Sequence, residues 1–308
     1  MKKINVVVPI YNEHEVLPEL ISRLQKVTSQ CKEYDFSFIM VENGSVDNSL
    51  AILKEKKKDD NRIKILKLSR NFGCDGGITA GLKYADADAV IVMNADLQDP
   101  PELILEFTKK WEQGFDVVYG KIKKRVGGNF IRNMCSSLFY FIINSLTGGT
   151  FPRNVSDFRL MDKKVVKVIN SMPENNRFIR GIVAWTGFKQ SGIEFERPDR
   201  FAGKPKAGFL EVYRTALNGI FSFSYFPLKI TTFIGVFMSL VSFVIMLLFI
   251  TLFFVHGREV PGHSSVIVTM TFLFGMLFFI LGVIGEYIAR IYDETKNRPN
   301  FIVDEEIF

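Results

Sequence analysis

The segment Asn94-Ala95-Asp96-Leu97-Gln98-Asp99-Pro100-Pro101 follows a short apolar run and sets oxygen-bearing side chains at alternate positions. Amide and carboxylate oxygens so spaced can converge on one hard cation and leave coordination sites for water and phosphate oxygens. Magnesium or manganese carrying a nucleoside diphosphate is the natural occupant. The same residues also read as a polar connection in which Asp99-Pro100 caps the next helix, and Asp99 can do that with or without a cation. Three further polar clusters follow β-branched runs in the same way: Tyr11-Asn12-Glu13, Glu42-Asn43-Gly44-Ser45 and Ser69-Arg70-Asn71. Arg70-Asn71 either braces the helix that follows or meets a substrate.

The elements that must carry these clusters are legible in the first 120 residues. Short β-branched runs over 4–8, 36–41, 63–68, 90–93 and 117–119 predict strands. Helical spacing over 15–28, 48–58, 76–84 and 102–113 predicts helices between them. Several strands are apolar nearly throughout, as sheets covered on both faces are. The alternation implies a doubly wound, mainly parallel α/β sheet, in which ligands collect at the carboxyl ends of strands. All four polar clusters fall there. Gly76-Gly77 is no phosphate loop, because the G-x-G-x-x-G spacing is missing.

The second half differs. Residues 230–255 and 264–285 contain no Asp, Glu, Lys or Arg, and at about 1.5 Å per residue either run crosses a hydrocarbon core of roughly 30 Å. Soluble helices of this length keep a polar face, so two transmembrane helices are expected. Arg214 and Lys229 precede the first run, and Arg290, Lys296 and Arg298 follow the second. Between the runs, Arg258 is balanced by Glu259. Excess basic residues mark the cytoplasmic side, which places both termini in the cytoplasm of a multi-pass protein of the cell membrane. The stretches 131–146 and 209–226 are amphipathic, and the second abuts the membrane as an interfacial helix would. The domain division expected is 1–207 for a cytoplasmic catalytic domain, 208–229 for a juxtamembrane helix, 230–288 for a transmembrane hairpin and 289–308 for a cytoplasmic tail.

Composition narrows the partners. A net charge of +6 arises from basic residues scattered among acidic ones, without the arginine-rich, aromatic-interleaved patch of a nucleic-acid binder. Anionic lipid headgroups or phosphorylated substrates suit it better. Cys31, Cys74 and Cys135 are odd in number and lack metal-ligand spacing, which favours a reducing compartment. His14, His256 and His263 are too dispersed for zinc.

VVPIYNE, ENGSVDNS, LSRNFG and NADLQDPP occur in order at four strand ends, followed by SDFRLMD at 156–162, NRFIRG at 176–181 and RFAGK at 200–204. Together they closely resemble glycosyltransferase family 2. Within it the similarity is to polyprenyl-phosphate glycosyltransferases, namely dolichyl-phosphate mannose synthase and the bacterial bactoprenol glucosyltransferases of the GtrB type. GEYIARIYDETKNRP at 285–299 resembles the bacterial branch. The resemblance implies a GT-A fold and inverting transfer of a sugar from a nucleotide donor, such as UDP-glucose, to undecaprenyl or another polyprenyl phosphate. It implies Mg2+ or Mn2+ held by Asp96 and Gln98, and a nucleotide-sugar pocket lined by Pro9, Tyr11, Glu13, Glu42, Asn43, Asn94, Ala95, Arg200 and Lys206. Arg125, Arg132 and Arg159 become candidates for the acceptor phosphate, and Asp157 and Asp96 for catalysis. Arg177 and Arg180 contact phosphate or form structural salt bridges. A homo-oligomer is plausible, since small pairs of spans often pack together.

The chain departs from the family pattern in having Glu42-Asn43 for Asp-Asp, Asn94 for Asp, and Pro205 before Lys206. Glu42 keeps a carboxylate at longer reach, and Asn94 keeps an oxygen while losing a charge. Two rival readings stand beside this one. A processive polysaccharide synthase would carry Q-x-x-R-W and more spans, neither of which is present. A non-catalytic scaffold descended from the enzyme would explain Asn94 and Asn43, but not the retained Asp96, Gln98 and Asp157.

Overall fold

Apolar β-branched runs build the middle of an eight-stranded sheet in the computed structural model, which describes residues 1–125, 155–175, 177–199, 201, 226–256 and 262–308. The amphipathic stretch 131–146, most of 208–229, and Arg132, Arg200 and Lys206 lie outside the described residues. The strands are β1 (Lys2–Ile10), β2 (Tyr34–Glu42), β3 (Ile63–Leu68), β4 (Ala89–Val92), β5 (Val117–Arg125), β6 (Val155–Asp162), β7 (Gln190–Arg197) and β8 (Val303–Ile307). Their order is β7-β5-β6-β4-β1-β2-β3-β8. Parallel pairings join β1 to β2 and β4, β2 to β3, and β5 to β7. Only β6 and β8 run against the rest.

Helices α1 (Leu17–Thr28), α2 (Ser49–Asp59), α3 (Gly73–Tyr84) and α4 (Ile104–Glu112) connect the strands up to β5, with α5 (Lys163–Ser171) and α6 (Ile179–Trp185) between β6 and β7. Local chemistry accounts for their ends. Pro101 opens the 3-10 turn that leads into α4, and the Asp162 side chain accepts the Lys164 N–H to cap α5. On one side of the sheet Ile4, Val6, Val8, Leu17, Leu20, Phe38, Phe107 and Phe158 are completely buried. On the other, α3 approaches β1 so closely that a Cβ on Gly81 would lie 2.1 Å from Val7 Cγ1. The glycines of the GGITAG run are therefore packing residues.

The chain divides into two units, one of residues 1–219 with 298–308 and one of 220–297. The second unit holds α7 (Phe226–His256) and α8 (His263–Lys296), each containing a span of 25 residues long and apolar enough to cross a membrane. Helix α8 runs past Gly285, through a Glu286–Arg290 ion pair one turn apart, and ends on Asn297 in the left-handed conformation. Next, β8 pairs antiparallel with β3 and Ser69 N–H bonds Ile302 O. The segment thus returns to the sheet of the first unit.

Candidate active site

The carboxyl ends of β1, β2, β3 and β4 carry the four polar clusters expected there, and hydrogen bonds tie one to the next. Asn12, left-handed at φ 53, receives the Val46 N–H on its Oδ1 and donates its own N–H to Ser45 Oγ. Glu13 N–H bonds Ser49 Oγ at 3.0 Å. Glu42 is buried and accepts the Ser45 N–H at 2.5 Å. Asn43, also buried, spans two loops: its Oδ1 accepts Phe72 N–H at 2.9 Å and its Nδ2 donates to Gly73 O at 2.8 Å. Gly44 has φ +69, and a Cβ there would fall 2.5 Å from the Arg70 carbonyl carbon, so the ENGS and SRN loops touch backbone to backbone. Pro9 lies in β1 with Tyr11 just beyond its end. These sequence-predicted residues come together, and Glu42 and Asn43 hold the loops as well as lining them.

The loop after β4 turns on Leu97, which is left-handed at φ 57. A leucine there is strained, and burial of its side chain in the core holds it. The turn brings Gln98 N–H to Asp96 Oδ1 at 3.2 Å. Ala95 and Asp96 are buried. Asn94 is engaged inside the protein, with Nδ2 donating to Asp99 Oδ2 at 3.2 Å and Oδ1 meeting Cys74 Sγ at 3.8 Å. Asp99 has no exposed surface and accepts the Ser156 hydroxyl at 2.7 Å. Burial pushes its carboxyl up, while Arg197 and Ser156 work the other way. Asparagine at 94 is therefore intelligible: a carboxylate there would face Asp99 at hydrogen-bond distance.

Because β6 runs antiparallel to β4, its first residues arrive at the carboxyl end of β4. Val92 pairs with Arg159, so Asp157 enters beside the Asn94–Gln98 loop. Arg180 Nε bonds Asp157 Oδ1 at 2.5 Å, and its Nη2 bonds Oδ2, a two-pronged clamp. Burial alone would raise the Asp157 carboxyl, but Arg180, then Arg159 and Arg197, hold it down at about 2. Arg159 is 3% exposed and donates to the backbone oxygens of Asp157 and Ser156 at 3.2 and 2.9 Å. Burial lowers its guanidinium to about 10. Its bonds support the start of β6. Arg177 likewise caps backbone, at Glu174 O and Met172 O. Arg125 is the last residue of β5.

Sequence reasoning overlooked Asp75 and Arg197. Asp75 stands in the first turn of α3 and its Oδ1 accepts the Ile179 N–H at 3.3 Å, next to Arg180. Burial first, and the Asp157 charge second, push its carboxyl up to about 6. The only signal available was an acid at a helix start, which ordinarily marks a favourable helix dipole. Arg197 ends β7, and the next residue, Pro198, accepts Gln98 Nε2 at 3.3 Å.

The donor set suits a divalent ion. Mg2+ is usually held by one or two carboxylates with substrate phosphates and water completing the shell. Asp96 offers a carboxylate and Gln98 an amide oxygen, its Nε2 being already used. Among the described residues no group of three or more His, Cys, Asp or Glu is placed to hold a metal ion. A shallow hollow at the opposite ends of the strands, lined by Lys2, Asp88, Trp111 and Asp162, shares none of these residues.

Comparison with known proteins identifies the family. Residues 5–169 match the model of glycosyl transferase family 2. The chain is 42% identical over 301 residues to the glycosyltransferase YkcC of Bacillus subtilis, covering 98% of this chain and 93% of that one. It is 37% identical to the SfII prophage-derived bactoprenol glucosyl transferase of Shigella flexneri, covering 98% and 97% of the two chains. Among solved structures, residues 1–349 of S. aureus TarS with UDP-GlcNAc align over 71% of this chain and 66% of that one, at 19% identity and a TM-score of 0.43. The chain is a glycosyltransferase and belongs to glycosyl transferase family 2.

Proposed function

We propose that this glycosyltransferase moves a sugar, with inversion, from a nucleotide donor to a polyprenyl phosphate at the cytoplasmic face of the membrane. The observation that carries the reading is the meeting of the Asp96–Gln98 loop with the Asp157–Arg180 clamp at the strand ends, in a chain that also holds two membrane-length helices. Full-length similarity to a bactoprenol glucosyl transferase supports the acceptor class. A UDP-sugar is our choice of donor and undecaprenyl phosphate our choice of acceptor, with Pro9, Tyr11, Glu13, Glu42 and Asn43 about the nucleoside.

Breaking the bond from anomeric carbon to diphosphate builds negative charge on the leaving group. Asp96 and Gln98 would hold a Mg2+ or Mn2+ ion, which supplies Lewis-acid stabilisation of that charge. The incoming phosphate monoester has a second pKa near about 6, like phosphorylated side chains. It is largely ionised at neutral pH and needs little help from a base. Asp157, clamped by Arg180 and held at about 2, is a poor proton acceptor. Its role is to position the groups around it. Return of β8 to the sheet supports a topology with both termini on one side, and the basic residues flanking the spans favour the cytoplasm.

The test is a screen of radiolabelled nucleotide sugars with undecaprenyl phosphate and Mg2+ or Mn2+, using the full-length protein in membranes. One donor should yield an acid-labile glycolipid, and Asp96→Ala should insert normally yet yield none. Undiminished product from that variant would remove Asp96 from the site, and no product with any donor would refute the acceptor or the reaction.

A further inference from the structure

We infer that Arg197 is a phosphate-binding residue of this site, its guanidinium presented to the phosphate oxygens of a substrate. Three placements argue for it. Pro198, the next residue, is hydrogen-bonded by Gln98 of the proposed cation loop at 3.3 Å, so the end of β7 is fastened to that loop. The strand register sets Arg197 beside Arg125, bringing two arginines to the same ends of neighbouring parallel strands. Finally, the Arg197 Nε is buried and has no hydrogen-bond acceptor among the described residues.

The last point is the weightiest. A guanidinium N–H withdrawn from water without an acceptor is costly, and such groups are rare where no ligand completes them. Arg197 is within electrostatic reach of Asp99 and Asp157, yet it makes no hydrogen bond to either. Asp157 is taken by Arg180, and Asp99 by Ser156 and Asn94. The acidic groups therefore keep the arginine in place without using up its donors. The planar guanidinium fork, whose Nε–H has no acceptor among the described residues, matches two oxygens of one phosphate. Arg159 differs, since its Nε and Nη2 already donate to backbone carbonyls.

The phosphate could belong to the donor's diphosphate or to the acceptor's monoester, and paired ligands separate them. The inference takes its substrates from the proposed function, so a probe outside that reading is included. Full-length wild type, Arg197→Gln and Arg197→Lys would be compared in detergent for binding of UDP, uridine and inorganic pyrophosphate with Mn2+, and for KM of a short-chain polyprenyl phosphate. If the donor phosphate is held, R197Q weakens UDP and pyrophosphate roughly tenfold or more and leaves uridine unchanged. If the acceptor is held, KM for the polyprenyl phosphate rises by a similar factor while UDP is unaffected. R197K, which keeps the charge and loses the fork, should fall between, and it serves if R197Q does not fold. Equal affinities and KM in all three proteins, or parallel loss of UDP and uridine, would overturn the inference. Wild type that binds pyrophosphate but neither UDP nor the lipid would refute the proposed function alone.

Discussion

The first unit has ion pairs in two very different settings. Beneath the site loops, Asp157, Arg159 and Asp99 are buried, and the half-buried Arg180 and Asp75 pack beside them. Along the sheet edge, Asp304 meets Lys67 at 2.5 Å and Glu305 meets Lys54 at 3.1 Å, with all four side chains at least 31% exposed. Contact distances are alike and consequences are not. In the buried set, carboxyls are driven apart, Asp157 to about 2 and Asp75 to about 6. Water screens the edge pairs. Burial, not proximity, decides whether a pair of charges becomes a device.

Breaking the buried clamp should have the largest effect. Arg180→Ala leaves the Asp157 carboxylate enclosed with only Arg159 and Arg197 nearby. Loss of one partner of a fully buried pair costs about 3–5 kcal/mol; Arg180 is itself 34% exposed, so about 2–3 kcal/mol is expected. The Asp157 pKa lies below its unfolded value, so its stabilisation is complete above about 4 and is lost as pH falls towards 2. The stability gap between wild type and R180A should therefore shrink on acidification from pH 7 to 3. Turnover should drop roughly 10–100-fold through misplacement of Asp157. Thermal unfolding of D157N/R180Q is the check: a double variant less stable than either single one would contradict the clamp.

Asp75 sharpens the contrast, because its shift has the opposite sign. Its carboxyl is raised from 3.8 to about 6, so the folded protein holds that proton over a range where the unfolded chain has released it. Stability contributed by the neutral form is present at low pH and is lost as pH rises through about 6. Asp75→Asn keeps an oxygen for the Ile179 N–H and removes the charge. The variant should be more stable than wild type at pH 7, by on the order of 1–3 kcal/mol, and should match it near pH 4. A gain of the same size at both pH values would rule out titration as its cause.

The same contrast explains what could be read from the sequence. Strands β1 to β5 and helices α1 to α4 were legible because their apolar spacing reports burial directly. The polar clusters were legible as loop ends. Strand β6 was visible only as the motif SDFRLMD: Ser156, Asp157 and Arg159 are all buried, and periodicity assigns such residues to the surface. Its reversed direction, which delivers Asp157 to the site, depends on pairing with β4 and leaves no local trace. Arg180 remained open between phosphate contact and salt bridge for the same reason, its partner being 23 residues away. The acidic run Asp304-Glu305-Glu306 concealed β8, whose partner β3 lies far back in the chain. Apolar composition found both long helices, although α8 continues through charged residues to Lys296.

The edge pairs should give the smallest effect. Strand β8 is fastened by its backbone ladder to β3, by Ser69 N–H to Ile302 O and by the Asn300 side chain to Glu174 O. Tyr84 adds a hydroxyl bond to Glu306 at 2.7 Å. Against these, the Lys67–Asp304 and Lys54–Glu305 contacts join flexible, solvated side chains that lose rotamer freedom in pairing. Charged side chains on an edge strand also deter pairing with a further strand, which gives the acidic run a purpose apart from binding lysines. Asp304→Ala with Glu305→Ala should therefore leave the melting temperature and its dependence on salt unchanged within measurement. The variant's higher net charge is expected to matter only for solubility. A substantial, salt-sensitive loss of stability would mean that the exposed pairs act as the buried ones do, and the distinction drawn between the two settings would fail.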